Sequence, residues 1–194
     1  MSVLWVGRVP RAAERATIAM RLMLLRHAKA EKGAPGQSDR ERRLTPAGRS
    51  DAQLIGSYMG RHALLPQRVL VSPAQRTRET WDCIVPALGA TIQASYDERL
   101  YNALAERIIA VAQETPSSIA TLLMIGHNPG FHEAARLLVA SGDVDARERL
   151  NESLPTAGLV VIDFAGNDWQ KLHAHGGRLE HLVTPRSLAA AGRV

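Results

Sequence analysis

Short, uninterrupted apolar runs recur along this chain, and each one stops at a polar cluster. The clearest runs are residues 22–25, 69–71 and 119–125. Strands that are covered on both faces have this pattern, because neither face can carry polar side chains. Helical patterns lie between the runs, and strands that alternate with helices indicate a sheet between two helical layers. The sequence therefore predicts a three-layer α/β/α sandwich with a mostly parallel central sheet.

Helix starts are marked by a capping side chain that is followed by proline. Thr45-Pro46 and Ser72-Pro73 both have this arrangement, with the N-cap residue first and proline at the first helical position. The spacing of apolar residues then predicts the remaining elements. Helices are expected at 46–60, 73–88, 103–114 and 129–138, and further strands at 91–94, 158–164 and 169–173.

The length suits a single domain. The chain has 194 residues, 45% of them hydrophobic, and one domain commonly has about 100–200 residues. We expect residues 21–185 to form one domain, residues 1–20 to be a disordered N-terminal extension and residues 186–194 to be a loose C-terminal tail. Cys83 is the only cysteine, which excludes an intrachain disulfide and is consistent with a reducing cytoplasm.

The net charge of +5 does not indicate a nucleic-acid partner. Residues 1–21 hold four arginines against one glutamate, and no basic run is longer than Arg42-Arg43. Aromatic residues are not interleaved with basic ones, as they are on surfaces that bind single strands. A run of about 18 apolar residues, which a membrane span requires, is missing from the sequence. We therefore expect neither nucleic acid nor a membrane as a partner.

Polar side chains follow three of the predicted strands. Arg26 and His27 come directly after the first strand, and His127 comes directly after the fourth. The second strand ends at Ser72, with Arg76 one helical turn further on. The carboxyl ends of parallel strands meet at one edge of a sheet, where α/β proteins bind ligands. Arginine forks and helix amino ends both favour phosphate oxygens, so the pattern predicts a phosphoryl-binding pocket at this edge.

At these residues the chain resembles the histidine phosphatase superfamily, which has the phosphoglycerate mutase-like fold. The family's Arg-His motif corresponds to Arg26-His27, followed by Ala28 where the family usually has glycine. Its Ser-Pro block with an arginine corresponds to residues 72–80, and its Gly-His motif to residues 126–127. Three motifs in the family's order, each at a strand end, make the resemblance specific.

The compact phosphohistidine phosphatase branch, the SixA type, is the most similar part of the family. Residues 26–29 read Arg-His-Ala-Lys, and the segments 97–103 and 155–158 also resemble this branch. No large insertion separates the second motif from the third, whereas the mutases carry one. The resemblance implies a phosphatase that needs no metal or other cofactor.

The resemblance also implies roles for individual residues. His27 would attack phosphorus and become phosphohistidine, which water then hydrolyses. Arg26, Arg76 and His127 would hold the phosphoryl oxygens, His127 as a protonated donor. Glu98 is the candidate proton donor to an alkoxide leaving group, because it lies where the wider family carries an acid. A surface glutamate paired with Arg99 is an equally good interpretation of Glu98.

The substrate stays open at this point. A phosphorylated protein, with the phosphoryl group on histidine, and a small phosphoester both suit the predicted pocket. A phosphate-binding or signalling module with weak turnover is an alternative, because the proton donor is in doubt. A phosphoglycerate mutase-like enzyme is a further alternative, which the missing insertion disfavours.

Overall fold

Seven strands form one sheet in the computed structural model, which describes residues 18–89 and 91–191. The strands are β1 (Ile18–Arg26), β2 (Arg68–Val71), β3 (Ala94–Tyr96), β4 (Thr121–Gly126), β5 (Val139–Gly142), β6 (Leu159–Ala165) and β7 (Gly177–Val183). Their order across the sheet is β3-β2-β4-β1-β6-β7-β5. Neighbouring strands run parallel, except that β6 is antiparallel to both β1 and β7. The predicted mostly parallel sheet is confirmed.

Helices cover both faces of this sheet. In the described part of the chain they are α1 (Pro46–Arg61), α2 (Gln75–Ile84), α3 (Ala105–Gln113), α4 (Gly130–Leu138), α5 (Val144–Glu152) and α6 (Pro185–Ala191). Ile55 of α1 and Ile84 of α2 belong to one apolar core, and Ile108 of α3 and Phe131 of α4 belong to another. The predicted α/β/α sandwich is therefore confirmed. No helix within residues 18–89 and 91–191 is long and apolar enough to cross a membrane.

The central strand β1 explains why the apolar runs are uninterrupted. Leu22 and Leu24 pack into one core, whereas Met23 and Leu25 pack into the other, and all four are fully buried. Successive side chains of a strand point to opposite faces, so a strand between two helical layers needs an apolar residue at every position. β1 runs parallel to β4, with Leu25 opposite Ile125. The two strands consequently end side by side.

Of the two predicted helix N-caps, the one at Thr45 is present in the structure and the one at Ser72 is not. Thr45 caps α1 as predicted, since its hydroxyl accepts the N–H of Gly48 at 3.0 Å. The prediction for Ser72 is wrong, because α2 begins only at Gln75 and has no side-chain cap. The Ser72 hydroxyl lies 2.7 Å from the His127 ring instead.

The edges of the sheet differ most from the prediction. Trp169–Lys171 is a 3-10 turn rather than a strand, and the indole N–H of buried Trp169 donates to the carbonyl of Ile119 at 2.6 Å. The strand beside β6 is β7, whose polar Arg178 lies between buried neighbours. β5 and α5 are also not predicted. β3 begins only at Ala94, the last residue of the strand expected there.

The ends of the described chain also correct the predicted boundaries. β1 begins at Ile18 and Met20 is buried, so residues 18–20 belong to the sheet rather than to an extension. The rest of the predicted extension, residues 1–17, lies outside the described residues. Residues 186–191 form a helix rather than a loose tail, because Thr184 and Ser187 cap its first turn reciprocally at 3.0 and 3.1 Å. Residues 192–194 lie outside the described residues.

Candidate active site

The ends of β1 and β4 bring two predicted histidines together. Arg26, the last residue of β1, is in register with Gly126, the last residue of β4. His27 and His127 follow directly, and their ring centroids lie 5.2 Å apart. α4 begins at Gly130, so its amino end is close to this cluster, where the helix dipole favours an anion.

The hydrogen bonding of His27 sets the tautomer of its ring. Its Nδ1 lies 2.8 Å from the carbonyl oxygen of Ala28, and a carbonyl can only accept. Nδ1 therefore carries the proton, and Nε2 carries a lone pair. Burial, together with the positive charges of Arg76 and Arg26, lowers the pKa of His27 to about 4. The ring is neutral at pH 7, which is the form that can attack phosphorus.

Ser72 orients the buried ring of His127. The Ser72 hydroxyl lies 2.7 Å from Nε2, while Nδ1 is buried without a partner. If the hydroxyl donates to Nε2, the proton is on Nδ1, which leaves one N–H for a bound acceptor. Burial, with His27 and Arg76 nearby, lowers the pKa of His127 to about 3. The expectation of a protonated donor thus differs from the structure, in which burial keeps the ring neutral at pH 7.

Arg26 and Arg76 supply the positive charge of the cluster. Arg76 is 4% exposed, and both of its terminal nitrogens donate to Asp39, Nη1 to the main-chain carbonyl at 2.6 Å and Nη2 to the carboxylate at 2.9 Å. Arg26 Nη1 donates to the carbonyl of Leu154 at 2.9 Å. The Nε atoms of both arginines are buried without a partner among the described residues. An incoming anion would satisfy these donors.

The loop before β6 supports the cluster from one side. The Leu154 carbonyl accepts from Arg26 and also from Asn128 Nδ2, at 2.8 Å. The N–H of Ala157 donates to the carbonyl of His27 at 3.1 Å. The segment 155–158, which the sequence singles out, therefore lies against the main chain of the candidate nucleophile.

Ala28 fits the first motif without strain. Its N–H donates to the Thr80 hydroxyl at 3.0 Å, and that hydroxyl donates to the main-chain carbonyl of Arg76 at 2.6 Å. Ala28 is not among the residues with positive φ. The backbone here is ordinary, so alanine can replace glycine at no conformational cost.

Asp39 is the site residue that sequence reasoning missed. One carboxylate oxygen accepts from Arg76 at 2.9 Å and from the hydroxyl of Tyr101 at 2.7 Å, and the other accepts from Arg42 at 2.9 Å. The hydrogen bond from Tyr101, with Arg42 and Arg76, holds the pKa of Asp39 well below its usual range. An ionised carboxylate thus lies on the arginine that is predicted to bind phosphate.

Glu98 lies outside the cluster. Its side chain is 68% exposed and forms an ion pair with Arg40 at 2.9 Å, not with Arg99, which pairs with Asp97 and Glu114. The guanidinium of Arg40 stacks on Tyr101, whose ring meets His127 edge-on. The contacts of Glu98 thus reach His127 only through Arg40 and Tyr101, and among the described residues its one ion pair is with Arg40.

Comparisons with known proteins identify the family and the fold. Residues 22–104 match the model of the histidine phosphatase superfamily, branch 1. The chain is 32% identical over 166 residues to an uncharacterised protein of Mycobacterium leprae, covering 84% of this chain and all of the relative.

Two solved structures have a similar fold. A candidate SixA phosphohistidine phosphatase of Agrobacterium tumefaciens is 29% identical, with a TM-score of 0.72, and the match covers 86% of this chain and 98% of that one. A candidate SixA of Nakamurella multipartitia is 27% identical, with a TM-score of 0.73, over 86% of this chain and 96% of that one.

Proposed function

Because the chain belongs to the histidine phosphatase superfamily, and within it to the SixA-like branch, we propose that it is a phosphatase that works through a phosphohistidine intermediate on His27. The observation that supports this best is the hydrogen bond of 2.8 Å from Nδ1 to the carbonyl of Ala28. It leaves the lone pair on Nε2, near Arg26 and Arg76, whose Nε atoms are buried without a partner among the described residues.

The reaction has two steps of the same kind. In the first step, Nε2 of His27 forms a bond to phosphorus while the bond to the leaving group breaks. In the second step, water attacks phosphorus, the P–N bond breaks, and inorganic phosphate leaves as the lone pair returns to Nε2. Covalent catalysis of this type divides one difficult step into two. Arg26, Arg76 and, with Ser72 donating to Nε2, the Nδ1–H of His127 would stabilise the charge on the oxygens in both steps.

The preferred substrate is phosphohistidine in a protein. An alkoxide needs a proton when it leaves, and a positioned acid is worth about 10²–10⁴-fold in rate. Asp39 is ionised and Glu98 is exposed and paired with Arg40, so neither is a ready donor. The imidazole of phosphohistidine needs no such donor when its other ring nitrogen is already protonated, because it then leaves as a neutral ring. A small phosphoester is the second substrate class, for which Glu98 stays the predicted acid, and the cytoplasm stays the predicted location.

Hydrolysis assays test this proposal directly. p-Nitrophenyl phosphate and a phosphohistidine peptide are assayed in parallel with wild-type protein, His27→Ala and His173→Ala, the last being an exposed histidine that serves as the matched control. We expect His27→Ala to lose about 10³-fold or more of both activities, and His173→Ala to retain them. Full activity in His27→Ala would refute the mechanism.

The same assays separate the alternatives. Phosphate binding without turnover in the wild-type protein would favour a phosphate-binding or signalling module. Transfer of the phosphoryl group to a second substrate instead of water would favour a mutase. Activity that survives EDTA is expected, because none of the proposed roles needs a metal.

A further inference from the structure

Asp39 lies on a short loop that is held over the phosphoryl pocket. A 3-10 turn at Asp39–Glu41 follows Ser38, whose side chain forms a capping box with Glu41. The main-chain carbonyl of Asp39 accepts from Arg76 Nη1 at 2.6 Å. The main chain of Asp39 is therefore held by contacts that do not use its carboxylate.

The carboxylate of Asp39 occupies hydrogen-bond donors of the kind that bind a phosphoryl oxygen. It accepts hydrogen bonds from two arginines, Arg76 and Arg42, and from Tyr101. Arginine binds phosphate best through two parallel N–H groups, and each terminal nitrogen of Arg76 gives one of its two N–H groups to Asp39. Only Nε of Arg76 is left without a partner. A phosphoryl group that binds Nε and the second N–H of a terminal nitrogen therefore shares that nitrogen with Asp39, and it lies close to an ionised carboxylate.

The Asp39 side chain is exposed enough to move away from Arg76. It is 47% exposed, whereas the side chain of Arg76 is 5% exposed. The bond to Arg42 can persist while the bond to Arg76 breaks, because the two use different carboxylate oxygens. An exchange of ligands on Arg76 thus requires only a movement of the aspartate side chain.

We propose that Asp39 is an internal competitor for the phosphoryl site, which holds Arg76 between turnovers, yields it to the substrate and takes it back as inorganic phosphate leaves. This inference rests on the proposed function. Asp39 is then a positioning residue that acts through Arg76. It keeps a buried guanidinium paired between turnovers, and it weakens the binding of the product.

Calorimetric titration of the full-length protein with inorganic phosphate tests this role. Asp39→Asn removes the charge but keeps the shape and the main-chain bond to Arg76. We expect it to bind phosphate about five- to tenfold more tightly, the effect of removing one like charge near a surface site. Asp39→Ala should change the affinity in the same direction. Glu41→Gln removes a charge from the same turn, can preserve the capping box, and should bind phosphate like the wild type.

Kinetics distinguish competition from a disordered loop. In Asp39→Asn, KM for p-nitrophenyl phosphate should fall by the same factor as the dissociation constant of phosphate, while kcat does not rise. A loop that had lost its structure would raise KM instead. Equal or weaker phosphate binding by both Asp39 variants overturns the proposal. If the wild type hydrolyses substrate in that case, only the role of Asp39 fails, whereas a wild type without hydrolysis refutes the proposed function itself.

Discussion

The pKa of His27 can be measured, and its expected value follows from the structure. Burial, with Arg76 and Arg26 nearby, lowers its pKa to about 4. At pH 7 only about one molecule in a thousand then carries a protonated His27, against about one in four for a histidine with an unperturbed pKa of about 6.5. Removal of one positive neighbour, in Arg76→Gln, should raise the pKa towards the unperturbed value.

Nitrogen-15 NMR of the histidine rings measures both the pKa and the tautomer. The resonance of His27 is assigned by its absence from His27→Gln, and it is followed from pH 7 down to the acid limit of stability. We expect the tautomer with the proton on Nδ1, and a midpoint far below pH 6.5 that moves upwards when phosphate is added. A proton on Nε2 at neutral pH, or a midpoint near 6.5 without phosphate, would refute the reasoning.

Three further predictions concern stability and the second histidine. Folding lowers the pKa of His27 and His127 to about 4 and about 3, so the unfolded chain binds more protons below pH 6.5. Urea unfolding should therefore show full stability above pH 6.5 and a loss of up to about 1.4 kcal/mol per pH unit for each histidine below it, down to about pH 4 for His27 and about pH 3 for His127, with a smaller slope in His27→Gln. Ser72→Ala removes the hydrogen bond to His127 and should lower kcat/KM about tenfold. Gly130→Ala should destabilise the protein by about 1–3 kcal/mol in the same unfolding assay, because a Cβ there collides with a main-chain carbonyl before α3; an unchanged midpoint would contradict this.

The sequence predicts those parts of the fold whose residue pattern is compatible with few other structures. Residues 22–25 are apolar at every position because helices cover both faces of β1, and few other structures need that pattern. The edge strand β7 is different, since Arg178 is exposed and Glu180 and His181 are half-buried. Its mixed pattern resembles that of a loop, and the short β5 depends on pairing with β7.

The candidate site divides in the same way. Arg26, His27 and His127 are predictable because each stands at the end of a buried parallel strand, and parallel register brings such ends together. Asp39 is not predictable, because a loop brings it to Arg76 from 37 positions away. The Ser38-x-x-Glu41 spacing marks the turn, but nothing in the sequence says what lies beneath it.

The protonation state of His127 cannot be predicted from the sequence either. The pKa of His127 is lowered mainly by burial, and then by His27 and Arg76. The burial of His127 and its distances to His27 and Arg76 cannot be read from the order of residues. The acid role of Glu98 has the same weakness, since its ion pair with Arg40 joins residues 58 positions apart.

The central claim is that His27 carries the phosphoryl group during turnover. Mixing the protein with a phosphohistidine peptide, quenching with alkali within the first turnovers and mapping phosphorylated peptides by mass spectrometry measures this directly. We predict an acid-labile, alkali-stable phosphoryl group on His27, which is absent from His27→Ala and which decays to inorganic phosphate during a chase. Hydrolysis by an active wild-type protein with no phosphate on His27 at any time, or with phosphate on another residue, would contradict the account.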